Sequence, residues 1–93
     1  MNLYQESERG QRAAALLESE MFLEAVDAVR LGITEAWRSA PIRDAEGMHN
    51  LKLMDKLLND LVGYIKTAAD TGKMAEIQLE QESKLQKFRN IWK

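Results

Sequence analysis

The residue with the clearest chemical potential is His49, the only histidine of the 93-residue sequence, because imidazole serves as a general base and as a metal ligand. The sequence has no cysteine, so a metal site would need carboxylates as its other ligands. Asp44 and Glu46 precede His49 in a capping turn rather than on one helix face with it. No serine or threonine is spaced to form a nucleophile–base pair with His49. We therefore predict no catalytic residue, no metal site, no cofactor and no enzyme activity.

The tripeptide Thr71-Gly72-Lys73 resembles part of a phosphate-binding loop, but the glycine-rich loop and a preceding strand are both missing. Glycine commonly closes a helix, so we predict that a helix ends at Gly72. The alternative is one continuous helix in which Gly72 makes a close contact with a neighbour.

The overall charge of −2 argues against a nucleic-acid partner. The last eleven residues, 83–93, differ from the rest because they contain four cations and no acid. They favour either a helix end that complements the helix dipole or a docking tail for an acidic partner, nucleic acid or a membrane surface. No apolar run reaches the roughly 20 residues of a transmembrane helix, and the polar N-terminus is not typical of a secretory signal.

The stretch Glu35–Gly47, which contains the only proline at Pro41, separates two long helical patterns. The residue before a proline avoids the α conformation, and Asp44 is a suitable N-cap for a new helix. We predict an all-α protein of one domain, 1–93, organised as an antiparallel helical hairpin with additional N- and C-terminal segments. The expected helical segments are 3–18, 20–40, 44–71 and 73–92, with a possible break or continuation at Ser19.

Both arms of the predicted hairpin carry apolar residues at alternating spacings of three and four, which indicates a heptad seam on each. The first seam is Phe22, Val26, Val29, Ile33, Ala36 and Ala40. The second seam is Leu51, Met54, Leu58, Leu61, Ile65 and Ala68. Further apolar residues, including Leu57 and Tyr64, widen the surface beyond what two helices can cover. We expect a homo-oligomer that forms a helical bundle, with a closed three- or four-helix monomer as the alternative.

Two groups of residues are candidates for partner binding. Near the turn these are Trp37, Arg38, Arg43 and His49, since tryptophan and arginine are enriched in interface hot spots. Near the C-terminus they are Phe88, Arg89 and Trp92. The plainer interpretation of the first group is that Trp37 packs over the end of the core with Arg38 or Arg43 stacked on it.

The segments EAWRSAPIRDAEG (35–47) and TGKMAEIQLEQE (71–82) resemble a family of small helical proteins of tailed bacteriophages and prophages. The matching positions are Trp37, Pro41, Asp44, Glu46, Gly72 and Lys73. The resemblance implies a phage context, hence the cytoplasm of a bacterial host or association with the virion, and it supplies no catalytic residue. The N-terminal helix-turn-helix of many small terminase subunits is not evident.

The sequence therefore favours a module that acts by protein–protein contact with itself and with another phage or host protein. One interpretation is a self-associating accessory of phage assembly or packaging. The other is a small inhibitor that blocks a host enzyme or defence complex.

Overall fold

The computed structural model describes residues 1–91, which form three α-helices. Helix α1 spans Leu3–Glu18, α2 spans Glu20–Ser39 and α3 spans Ala45–Ile91. No strand occurs in this range, which confirms the predicted all-α class. At a rise of about 1.5 Å per residue, α3 is about 70 Å long. It therefore runs along nearly the whole 76 Å long axis of the molecule.

Local hydrogen bonds set the helix ends. Asn2 and Gln5 form a reciprocal capping box at the start of α1. Ser19 ends α1 with an extended backbone and begins α2, because its Oγ accepts from the Phe22 amide at 3.3 Å. Of the two possibilities considered for Ser19, the break is the one observed. Ala40 is likewise extended before the proline, as predicted.

Asp44 is the N-cap of α3, as predicted. Its Oδ1 accepts from the Gly47 amide at 2.9 Å, and the Asp44 amide itself donates to the Pro41 carbonyl at 3.0 Å. The chain thus reverses direction between Ala40 and Asp44.

The three helices form one long hairpin, in which α1 and α2 follow each other along α3. Near one end Ser7 Oγ donates to Glu76, and farther along Arg30 donates to Asn59. Residue numbers rise along the first arm as they fall along α3, so both α1 and α2 run antiparallel to it. Helix α1 therefore packs along the middle of α3, and residues 80–91 of α3 are all exposed.

The predicted helix end at Gly72 is wrong, because α3 continues through this position and no glycine has a positive φ. The alternative of a continuous helix with a close contact is the one observed. A Cβ built on Gly72 would overlap the Cα of Gly10 and would lie 3.1 Å from the Glu6 carbonyl oxygen. Around this crossing lie the buried residues of the described range, 1–91: Ser7, Gly10, Ala13, Ala68, Ala69, Gly72 and Ala75.

The two predicted seams face each other only in part. Phe22, Val26 and Ile33 are half-buried, as are Leu51, Leu58 and Ile65. The expectation of inward-pointing side chains is wrong for four seam residues, which are exposed: Val29, Ala36, Met54 and Leu61. The apolar sector of each helix is wider than one stripe, and only one side of it contacts the other arm. In addition, α2 approaches α3 at far fewer positions than α1 does, and no residue of α2 is buried.

Candidate functional site

One candidate surface is a stripe of uncharged side chains on the α2–α3 half of the hairpin, called the apolar face below. From α3 it contains four large residues that are between 51% and 66% exposed: Met54, Leu57, Leu61 and Tyr64. From α2 it contains four smaller, exposed residues at similar spacing: Ala25, Val29, Gly32 and Ala36. A Cβ built on Gly32 would meet no atom within 4 Å, so this stripe is open to solvent.

Both halves of the apolar face lie on the same side of the hairpin. Arg30 Nη1 donates to Asn59 Oδ1 at 2.6 Å, and this bond bridges α2 and α3 on the opposite, polar side. Leu57 and Leu61 are each two residues from Asn59, so they lie about 160° around the helix from it. Gly32 is likewise two residues from Arg30, so it lies about 160° around α2 from it. Both stripes therefore lie on the side of the hairpin away from this bond.

Arg9 of α1 borders the apolar face at its α1 end. Its Nη2 donates to Tyr64 Oη at 2.8 Å, and its Cζ lies 5.2 Å from the centre of the Tyr64 ring. The guanidinium thus combines a hydrogen bond with a cation–π contact. The sequence patterns did not indicate this pair, because the two residues are 55 positions apart and belong to different arms.

At the turn, the structure does not gather the predicted partner-binding residues into one groove. Trp37 is 58% exposed and lines an open groove with Thr34, Lys52 and Asp55. His49 is exposed and borders a different surface depression beside Leu53 and Lys56, and does not line the Trp37 groove.

Arg38 and Arg43 are exposed, and the expected stacking of either on Trp37 is not seen in residues 1–91. Ile42 was missed, although it is 92% exposed at the tip. Its exposure could have been predicted from its position between Pro41 and Arg43, because the residues of a tight turn cannot cover a large apolar side chain.

The second predicted group lies at the opposite end of the molecule. Phe88 and Arg89 are exposed on the last part of α3, and Trp92 lies outside the described residues. From Met48, which lines the Trp37 groove, to Phe88 the helix spans 40 residues, or about 60 Å. One chain therefore cannot combine the turn and the C-terminal residues into a single site.

Residues 1–91 contain no cluster of three or more histidine, aspartate or glutamate side chains arranged to hold a metal ion. In the same range, no helix is both long enough and apolar enough to cross a membrane. Comparisons with protein-family models, with curated proteins and with solved structures found no match for this chain.

Proposed function

We propose that this chain is a non-catalytic protein-interaction module that acts by self-association, as an accessory of phage assembly or packaging. The observation that carries the proposal is the apolar face, where Met54, Leu57, Leu61 and Tyr64 are all more than half exposed. Contiguous exposed apolar surface on a protein with little core is typical of an interaction site.

The small core of the single chain supports the same proposal. Its buried hydrophobic residues are all alanines, and no large side chain in residues 1–91 is fully buried. Burying a large apolar side chain fully contributes roughly 1.5–3 kcal/mol, and the large side chains that this chain half-buries, such as Phe22 and Leu58, gain only part of it. Covering the apolar face in an oligomer would supply this free energy.

The elongated shape of the chain also supports self-association. The radius of gyration is 20.9 Å, whereas a compact domain of this length has about 12 Å. A long hairpin has little interior of its own but a large lateral surface, which suits it for packing against other helices.

Sedimentation equilibrium between about 1 and 100 μM tests self-association directly, together with thermal unfolding over the same range. We expect a stable oligomer and an unfolding midpoint that rises with protein concentration, since association stabilises the folded form by mass action. A monomer at every concentration, with a constant midpoint, would show that the proposal is wrong.

The phage context rests on the residues around Trp37, Pro41 and Gly72, whose pattern resembles that of small helical phage proteins. The position of the gene tests it. We expect neighbours that encode head or packaging proteins, and mass spectrometry of purified virions would show whether the chain is packaged or stays in the host cytoplasm.

The exposed tip favours a second candidate function, inhibition of a host enzyme or defence complex. Ile42 is 92% exposed at the tip and Trp37 is 58% exposed at the end of α2, and an exposed arginine follows each of them in the sequence, Arg43 and Arg38. The test is whether the purified chain lowers the activity of a host enzyme that it captures. The Ile42→Glu variant should lose both effects, whereas Leu57→Glu should retain them if the tip alone makes the contact.

A further inference from the structure

We propose that the apolar face is covered by a second copy of this chain, and that the two hairpins lie side by side in the same direction with both turns at one end. This inference rests on the self-association proposed above and adds the surface and the orientation of the pairing.

The exposed area is large enough for such a dimer. The chain exposes 7755 Å², whereas a compact protein of 10.6 kDa exposes about 5,500 Å². The excess, about 2,200 Å², is spread over all sides of the elongated hairpin, and a fraction of it would supply the roughly 800 Å² that each partner buries in a standard interface.

The charge distribution favours a copy of the same chain as occupant. None of the eight residues of the apolar face is charged, so two such faces meet without placing like charges together. The charged residues of this half, including Arg30, Lys52 and Lys56, lie on other sides of the hairpin and would remain in solvent.

The orientation follows from residue size. The large side chains are all on α3 and the small ones are mostly on α2, and both stripes are centred near the level of the Arg30–Asn59 bond. When two hairpins pack in the same direction, α3 of one lies against α2 of the other. Leu57 and Leu61 then meet the stripe around Gly32 at matching height, so that bulky residues fill the space beside small ones. If the two hairpins ran in opposite directions, α3 would pack against α3 and α2 against α2. The large side chains would then face each other, and so would the small ones.

A pair of glycine substitutions tests the location. A Cβ on Gly32 or on Gly63 meets no atom within 4 Å, so Gly32→Leu and Gly63→Leu place the same side chain in open space on a single chain. Gly63 is two residues from Leu61, on the side away from the apolar face. We expect Gly32→Leu to raise the dimer dissociation constant at least about tenfold by overpacking, and Gly63→Leu to leave it unchanged. Equal effects of both substitutions would overturn the location.

Spin labels test the orientation, and the absence of cysteine allows one label per chain. We place it at Arg43→Cys in the turn and, separately, at Gln78→Cys on the exposed side of α3. Side-by-side packing predicts that both labels lie within about 30 Å of their copies, because helices pack about 10 Å apart. If the hairpins instead ran in opposite directions about the level of Asn59, the two labels at position 43 would be about 45–50 Å apart and the two labels at position 78 about 57 Å apart. Distances of this size would overturn the proposed orientation. A monomer would instead contradict self-association itself.

Discussion

Gly10 and Gly72 meet backbone to backbone where α1 crosses α3. A Cβ built on Gly10 would overlap the Cα of Gly72 and would lie 3.0 Å from the carbonyl oxygen of Ala68. The atoms it would meet belong to a helix backbone, which cannot rotate away as a side chain can. The crossing therefore requires glycine on both helices, even though glycine inside a helix costs about 1 kcal/mol relative to alanine.

Replacing Gly72 by alanine should accordingly destabilise the protein, although alanine is the better helix former. The added methyl group would push α1 away from α3 and loosen the surrounding alanine core, and overpacking of this kind costs about 1–3 kcal/mol. Urea denaturation at fixed protein concentration measures the change in the free energy of unfolding.

The matched control is Gly63→Ala on the same helix, where the new Cβ meets nothing within 4 Å. This variant should be more stable than the parent by about 0.5–1 kcal/mol. Similar gains in stability from both substitutions would mean that the close crossing is not formed in solution.

Much of the fold was predictable because it depends on residues close together in sequence. Pro41 and Asp44 stop one helix and start the next through their own backbone and capping chemistry, and Ser19 does the same at the other joint. Gly72 was ambiguous for a physical reason. Helix end and close contact both select glycine, and the contact partner, Gly10, lies 62 positions away.

The cap of α3 gives a second prediction, about Asp44 and Gly47. Removing the carboxylate in Asp44→Ala should lower the free energy of unfolding by about 1 kcal/mol, because the Gly47 amide loses its partner. A Cβ on Gly47 would meet the Asp44 carboxylate, so Gly47→Ala should disturb the cap and gain little. When Asp44 is already alanine, Gly47→Ala should raise the free energy of unfolding by about 0.5–1 kcal/mol, because no carboxylate is left for the new Cβ to meet. A double-mutant cycle measures this coupling, and strict additivity of the two changes would contradict it.

The candidate surfaces were less predictable than the helices. Heptad spacing identified apolar residues correctly, but it could not decide which of two adjacent stripes faces the other arm. Met54 and Leu61 satisfy the spacing as well as Leu58 does, yet they are exposed. The choice depends on how the two arms rotate against each other, and the contacts that accompany this rotation, such as Arg30–Asn59, join residues far apart in the sequence.

The contact between Arg9 and Tyr64 yields a third prediction. Tyr64→Phe removes the hydroxyl that accepts from Arg9 but retains the ring beneath the guanidinium. We expect a small loss of stability, about 0.5–1 kcal/mol, with a further similar loss in Tyr64→Leu as the cation–π contact disappears. Tyr4→Phe is the control, because the Tyr4 hydroxyl makes no hydrogen bond within residues 1–91. Equal losses at both tyrosines would show that Arg9 contributes nothing specific.

Deleting residues 83–93 tests whether this segment binds a partner or stabilises the fold. The described part of this segment is exposed, and its ion pair, Glu80–Lys84 at 3.7 Å, is a solvated surface pair. We therefore expect circular dichroism to show that the remaining helices persist, with a loss of stability below about 1 kcal/mol, while binding of an acidic partner is lost.

Replacing Lys84, Lys87 and Arg89 by glutamine in the full chain is the matched control, since it removes the charge and keeps the helix. If the tail docks by charge, this variant should lose binding as the deletion does, and the loss should be mimicked by raising the salt concentration of the parent protein. If the deletion instead unfolds α1, the tail is part of the fold and complements the dipole of α3.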